Sequence, residues 1–178
     1  MAQSRGEFRA VWKVIARFGA PDERHWPCRA ANFRRCPDPF VYQCARQFPG
    51  LRYVRLDGPA LPGEAVLARL RSVLAAGFAC ALGVPVCGAV TADPDIPFPT
   101  VFDRICGGQA MVAVGYDDHR YIRSDRGALV VRNGWGSDWG EQGYGYLPYA
   151  YIRERLAMDL WTLVDPDWLS SGEFARPE

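Results

Sequence analysis

Apolar residues in the first part of the chain recur every three or four positions, the spacing of one face of an α-helix. This spacing predicts three helices. The first follows Ser4 and Glu7, which have the separation of a capping box, and it ends before Gly19. The second begins after Asp38, where a helix-capping residue precedes a proline, and the third spans about 63–76.

Later in the chain the apolar residues form short runs or alternate with polar ones, which is the pattern of β-strands. Residues 51–57 alternate, whereas residues 78–86 form a nearly unbroken apolar run typical of a strand buried on both faces. Three prolines spaced through residues 88–104 predict a loop. Turns rich in glycine and aspartate then separate four further apolar segments, at 110–116, 128–133, 144–149 and 159–164. Helices first and strands later predict an α+β fold with a twisted antiparallel sheet or small barrel.

The composition is that of a compact globular chain, and we expect a single domain over residues 1–178. The chain is 49% hydrophobic and 23% charged, and its net charge of +1 gives no reason to expect nucleic acid or a membrane as partner. Because no apolar stretch has the length of a signal peptide core or a membrane span, we expect a cytoplasmic location. The six cysteines include no C-x-x-C pair and no histidines at zinc spacing. We therefore expect free, mostly buried thiols and neither a metal nor another cofactor.

Two segments of the second half carry recognisable motifs. Residues 107–118 read GGQAMVAVGYDD, and residues 127–152 contain W-G twice, followed by G-Y-G. Together they resemble the papain family of cysteine peptidases in its bacterial form. In that family G-G-H-A opens an apolar strand ending in G-Y, and a second apolar strand ends in N-S-W-G. A weaker resemblance extends over nearly the whole chain.

The resemblance implies a papain-like cysteine peptidase fold that is truncated at its N-terminus. Such a fold would consist here of a lobe with an antiparallel sheet or barrel and a few packed helices. We expect a mainly helical part over about 1–76, a sheet-rich lobe over 77–168 and a frayed tail over 169–178.

The resemblance also implies three catalytic positions, which hold a thiolate, an imidazole that takes its proton, and an amide that orients the imidazole. Asn133 stands at the amide position, and Trp135 matches the tryptophan that shields the amide–imidazole hydrogen bond from water. Gln109 stands at the imidazole position. A carboxamide does not ionise near neutrality and cannot carry a proton between groups. No upstream segment matches the Q-G-x-C text of the nucleophile helix, so we predict that the chain is inactive as a peptidase.

The other reactive side chains are weaker candidates. Cys106 borders the presumed cleft, three residues before Gln109, and Cys28 follows a proline in a loop without a helix N-terminus to activate it. His25 is expected to pack or face solvent, and His119 to lie in an exposed turn. Three aspartates are interpreted as turn residues rather than as a cation site: Asp117, Asp118 and Asp138. The predicted cleft and binding residues are Cys106, Gly107, Gly108, Gly134, Trp135 and Trp139.

Three hypotheses about function remain open. In the first, the chain is a pseudopeptidase that uses the vestigial cleft to bind a peptide, an acyl carrier or a protein partner. In the second, it is a repurposed enzyme for acyl transfer or cyclisation in a biosynthetic pathway, acting through Gln109, Asn133 or Cys106. In the third, it is half of a split cysteine peptidase whose second chain supplies the cysteine helix. Loss of that helix would uncover apolar surface at the seam between the lobes, so we expect a homodimer or a protein partner there.

Overall fold

The computed structural model describes three stretches of the chain, residues 8–46, 51–87 and 93–164. They divide into two compact units, of which the first consists mainly of the described residues up to Tyr53 and the second runs from Val54 to Leu163. The predicted boundaries at 76 and 168 stay predictions.

The first unit is helical, and its elements in chain order are helix α1, Phe8–Phe18, a 3₁₀ turn, Ala30–Asn32, and helix α2, Pro39–Ala45. α1 is followed by Gly19, whose φ of +79° ends the helix in the left-handed conformation that glycine adopts readily. α2 begins after Asp38, whose carboxylate accepts a hydrogen bond from the Val41 N–H at 3.1 Å. Both predicted boundaries are confirmed, whereas the capping pair Ser4 and Glu7 lies outside the described residues.

A six-stranded sheet forms the larger part of the fold. Its strands and the helices between them are β1, Arg52–Arg55, α3, Gly63–Ala75, β2, Cys80–Cys87, β3, Ile105–Ile122, β4, Asp125–Asn133, β5, Tyr144–Pro148, α4, Ala150–Arg153, and β6, Met158–Val164. The spatial order is β1-β6-β2-β3-β4-β5. β2 pairs antiparallel with β3 and β6, and β4 pairs antiparallel with β3 and β5. The predicted α+β class and antiparallel sheet are confirmed, while the four-residue α4 is too short to have produced a detectable helical pattern.

The core of the second unit lies between α3 and one face of the sheet. Leu70 of α3 is completely buried and belongs to the same apolar cluster as Met111 and Ala113 of β3. Val112, between the last two, is exposed, because successive side chains of a strand point to opposite faces. Further fully buried members of the cluster are Leu82, Leu129, Val131, Leu147 and Leu160. None of the described helices is long and apolar enough to cross a lipid bilayer.

The turn predicted around His119 is wrong, because β3 continues through it to Ile122, whereas the predicted exposure of His119 is confirmed. The chemistry expected of a turn is nevertheless present inside the strand. The Asp117 carboxylate accepts hydrogen bonds from the backbone N–H groups of His119 at 2.8 Å and Arg120 at 3.2 Å. The pairing of β3 with β4 is irregular at this point, so the aspartate supports a bulge rather than a chain reversal. Asp138, by contrast, lies in a turn as predicted.

Asp118 joins three elements of the second unit and is more than the turn residue that the sequence predicted. Its carboxylate accepts a hydrogen bond from the Tyr149 hydroxyl at 2.8 Å and pairs with Arg71 of α3 at 2.6 Å. The Arg71 guanidinium also lies over the ring of Tyr116, 5.0 Å from its centroid. Burial, followed by the hydrogen bond to Asp118, raises the pKa of Tyr149. The cluster therefore ties α3 to β3 and to the residue after β5.

The expectation of mostly buried thiols is wrong for the five cysteines whose side chains are described. All five are free, but Cys80 alone among them is buried, while Cys28, Cys36 and Cys106 are exposed. Cys80 belongs to the central strand β2, whereas the exposed thiols lie in the loops of the first unit or at the beginning of β3. Burial raises the pKa of the Cys80 thiol to about 12.

Candidate functional site

The two predicted polar residues of the cleft, Gln109 and Asn133, lie on neighbouring strands and touch. The register of the β3–β4 pair sets Met111 opposite Asn133, the last residue of β4. Gln109 precedes Met111 by two positions, so its side chain is on the same face of β3. The Gln109 Nε2 donates a hydrogen bond of 2.8 Å to the Asn133 Oδ1. The sheet thus joins two amide side chains that are 24 residues apart in the chain.

The orientation of both amides follows from one backbone group. The N–H of Gly134 donates to the Asn133 Oδ1 at 2.8 Å, which identifies that atom as the oxygen because a backbone N–H cannot accept. Gln109 must then present its NH₂ group to the same oxygen. Its Nε2 also donates to the Ala110 carbonyl at 3.3 Å. The Ala110 carbonyl was not among the predicted site residues, and a backbone group of this kind has no signature in the sequence.

Asn133 is 6% exposed, and its Nδ2 is buried with no hydrogen-bond partner among the described residues. A buried donor without a partner costs about 1–3 kcal/mol in a folded protein. The site therefore contains one polar group whose hydrogen-bonding capacity is unused in the part of the chain that the structure describes.

Glycines leave open space beside the amide pair. Among the described residues, a Cβ atom added at Gly107 or Gly134 would meet no other atom within 4 Å, and the same holds for Gly136. At Gly108 such an atom would lie in ordinary contact with the Val84 carbonyl oxygen, at 3.8 Å. Gly107 and Gly134 therefore add no side-chain bulk at positions close in the chain to Gln109 and Asn133.

The two predicted tryptophans differ in burial. Trp139 is 6% exposed, whereas Trp135 leaves 46% of its surface in solvent. Their rings meet edge to face, with centroids 6.0 Å apart. Gly145 of the G-Y-G motif makes room for the buried ring, because a Cβ there would lie 2.6 Å from a Trp139 ring carbon. Trp139 thus anchors the loop after β4. Trp135, two residues after Asn133 in the chain, keeps its ring partly exposed.

The other predicted residues do not join the amide pair. The Cys106 thiol is exposed at the start of β3 and donates to the Arg104 carbonyl at 3.4 Å. His119 lies toward the far end of the same strand, where its Nδ1 is 3.2 Å from the Arg126 guanidinium. His25 belongs to the first unit and packs edge to face on Phe40, with centroids 5.6 Å apart.

The chemistry of the amide pair is confined to hydrogen bonding, since neither carboxamide ionises near neutrality. Within the described residues, no group of three or more His, Cys, Asp or Glu side chains is arranged to hold a metal ion. The pair is therefore suited to orienting or binding a ligand by hydrogen bonds.

Sequence comparison relates the chain to cysteine peptidases. The model of the papain family cysteine proteases matches residues 99–154, which contain both Gln109 and Asn133. An uncharacterized peptidase C1-like protein of Acanthamoeba polyphaga mimivirus is 29% identical over 167 residues, covering 90% of this chain and 52% of that protein. The chain thus spans about half the length of the curated relative that it matches.

Solved structures show the same fold. Xylellain, a cysteine protease from Xylella fastidiosa, is 28% identical with a TM-score of 0.68, over 87% of this chain and 60% of that one. The clostridial cysteine protease Cwp84 is 15% identical with a TM-score of 0.61, over 89% of this chain and 40% of its own. The bromelain protease from Ananas comosus is 18% identical with a TM-score of 0.56, over 90% and 69%. The papain-like cysteine peptidase fold that the motifs implied is therefore confirmed.

Proposed function

We propose that this chain, which has the fold of the papain-family cysteine peptidases and is related to them in sequence, binds a peptide-like ligand at its amide pair and does not hydrolyse it. In this proposal the chain is a pseudopeptidase. The proposal concerns residues 1–178, and the activity of the papain-family relatives is not transferred to them.

The observation that carries the proposal is the hydrogen bond from Gln109 Nε2 to Asn133 Oδ1. In a cysteine peptidase the corresponding contact holds an imidazole, which takes the proton of the thiol and returns it to the leaving group. Gln109 keeps the contact with the orienting amide but supplies no group that gains or loses a proton near neutrality. A thiol brought to this site by any other segment would therefore still have no base.

The surroundings of the amide pair favour a site that is open to a ligand. Gly107 and Gly134 have open space around them in the described part of the chain, and the ring of Trp135, two residues after Asn133, is partly exposed. Glycine-lined surface admits an extended main chain, and an exposed tryptophan supplies apolar contact area with a hydrogen-bond donor. These features support a peptide as the bound molecule.

The proposal is tested by measuring hydrolysis and binding on the same preparation. We expect no turnover of fluorogenic peptide or peptide-ester substrates, and saturable quenching of tryptophan fluorescence by members of a peptide library. The variant Gln109→His is also expected to give no hydrolysis, because the imidazole alone does not provide an aligned thiolate. Gln43→His, on the exposed surface of α2, is the matched control. Peptide hydrolysis by the wild-type chain, abolished by a thiol-blocking reagent, would refute the proposal.

The same substrates separate the two other hypotheses. Transfer of an acyl group from an ester to an amine, without hydrolysis of peptides, would favour the repurposed enzyme. Thiol-dependent hydrolysis that appears only when a second chain is added would favour the split peptidase.

The predicted homodimer or protein partner is a separate proposal. Size-exclusion chromatography with light scattering tests the dimer, for which the expected mass is about twice the 19.9 kDa of one chain. A monomer at all concentrations that binds no hydrophobic dye would count against both forms of this proposal.

A further inference from the structure

We propose that Gln109 presents only a hydrogen-bond acceptor to the ligand, so that contact with this side chain selects ligands that offer an N–H donor and disfavours anions. The inference rests on the proposed binding function and adds the polarity of the group that is bound. It differs from what an imidazole at the same position would give, because a protonated imidazole donates a hydrogen bond and attracts negative charge.

The donor capacity of the Gln109 side chain is set by its amide nitrogen. A carboxamide nitrogen carries two hydrogens. The Nε2 of Gln109 donates to the Asn133 Oδ1 at 2.8 Å and to the Ala110 carbonyl at 3.3 Å. Both hydrogens are therefore engaged within the protein, and none remains for a ligand.

The Gln109 amide cannot reverse without losing these hydrogen bonds. A reversed Gln109 would bring its Oε1 against two oxygens, those of Asn133 and of the Ala110 carbonyl. Asn133 cannot reverse in compensation, because its Oδ1 also accepts from the Gly134 N–H at 2.8 Å. The backbone N–H of Gly134 thus fixes the orientation of the Asn133 amide, which in turn fixes the orientation of the Gln109 amide. The Gln109 Oε1 is the atom that this arrangement does not use.

The remaining polar atom of the Gln109 side chain is Oε1. It has no hydrogen-bond donor among the residues that the structure describes, and Gln109 is only partly buried. Gly107, on the same strand as Gln109, and Gly134, next to Asn133, have open space around them among the described residues. An extended peptide carries N–H groups at regular intervals along its edge, and one of them is the complement that the free acceptor requires.

Rejection of anions follows from the same geometry. A carboxylate has acceptor atoms only, so its approach to Oε1 sets oxygen against oxygen and leaves both without a donor. An unmade hydrogen bond of this kind corresponds to about a tenfold or greater loss of affinity.

The test uses the wild-type chain and two probes, of which only the first offers backbone N–H donors. The first probe is acetyl-triglycine N-methylamide, and the second is the same molecule with every backbone N–H replaced by N–CH₃. Binding is followed by ¹H–¹⁵N spectra of the Gln109 side-chain amide, assigned from its absence in Gln109→Met. The first probe is expected to shift this resonance saturably, with a dissociation constant at least about tenfold lower than that of the second.

Two further probes identify the source of the donor and the response to charge. Glycinamide offers an ammonium group, and acetate offers acceptors alone. Saturable binding of glycinamide in addition to the acetylated peptide assigns the site to N-terminal amines as well as to main-chain amides. Acetate is expected to leave the resonance unchanged in the wild-type chain, and to bind Gln109→His below pH 6, where the introduced imidazole is protonated.

Equal or tighter binding of the methylated probe or of acetate to the wild-type chain would overturn the inference, and so would the absence of a saturable shift with both donor probes. These outcomes are distinct from failure of the proposed function. Peptide hydrolysis by the wild-type chain would refute the pseudopeptidase whichever probe binds. Binding of acetate without hydrolysis would overturn the polarity of the site alone.

Discussion

Replacing Gln109 by glutamate tests whether the contact with Asn133 depends on donation by the residue at position 109. The substitution keeps the shape of the side chain and exchanges its NH₂ group for an oxygen. At neutral pH a carboxylate oxygen would then face the Asn133 Oδ1, which is held in place by the Gly134 N–H. Two acceptors would meet where a 2.8 Å hydrogen bond exists in the native chain.

The expected loss of stability is the sum of two effects. Removal of the hydrogen bond costs about 1 kcal/mol, and the opposition of two partly buried acceptors adds about 1–2 kcal/mol. Together they lower the free energy of unfolding by about 2–3 kcal/mol at pH 7. For a chain of this length, that change corresponds to a fall in Tm of about 5–10 °C.

The loss is expected to depend on pH, with a definite sign. The protonated acid is again a donor, so contact with the Asn133 oxygen raises the pKa of the introduced carboxyl group in the folded state above its unfolded value of about 4.3. A folded-state pKa that is raised in this way stabilises the protein below the unfolded pKa, and the stabilisation is lost as the pH rises through the folded-state pKa. The deficit of the variant relative to the native chain should therefore be small at pH 4 and largest at pH 7.

Thermal unfolding followed by circular dichroism at several pH values between 4 and 8 measures this dependence. Gln43→Glu makes the same chemical change on the exposed surface of α2, and its deficit should be small throughout this range. A Gln109→Glu variant as stable as the native chain at pH 7, or one whose deficit grows as the pH falls, would show that the residue does not donate to Asn133.

Three further predictions concern the core and the buried titrating groups. Leu70→Ala should lower the free energy of unfolding by about 3 kcal/mol in urea titrations, because it leaves a cavity at a completely buried position. A loss below about 1 kcal/mol would contradict the packing of α3 on the sheet. Because burial raises the pKa of Cys80 to about 12, a thiol reagent at pH 8 should modify the exposed Cys106 quickly and Cys80 only as the chain unfolds. Equal labelling of the two cysteines, measured by mass spectrometry, would refute this prediction. Burial, followed by the Asp118 hydrogen bond, raises the pKa of Tyr149, so Asp118→Asn should lower the pKa of Tyr149 in a spectrophotometric titration. An unchanged titration would exclude the contact between Asp118 and Tyr149.

Local signals in the sequence were enough for most of the elements and for the papain-like fold. Asp38 caps α2 through an N–H three residues away, and the alternation of β3 reflects which face of one strand is buried. Such features depend on neighbours in the chain, so their residue types reveal them. The tryptophans and glycines after β4 act in the same local way, because Gly145 must be small where Trp139 packs. The carboxamide at position 109 is likewise visible in the sequence alone.

Contacts between segments that are distant in the chain could not be predicted from the sequence. The turn expected at His119 became a bulge inside β3, because pairing with β4 extends the strand past it. Asp118 finds partners 47 and 31 residues away, at Arg71 and Tyr149, which no local pattern identifies. The burial of the cysteines depended in the same way on which strand became central.

The sequence by itself determined that position 109 carries an amide, and hence that it cannot exchange protons near neutrality. Only the tertiary structure decided which end of that amide is used within the protein. The pairing of β3 with β4 brings Gln109 to Asn133, and the Gly134 N–H orients the asparagine so that the glutamine must donate. A carboxamide has a donor end and an acceptor end of nearly equal size, and the choice between them is made by hydrogen-bond partners that the fold supplies.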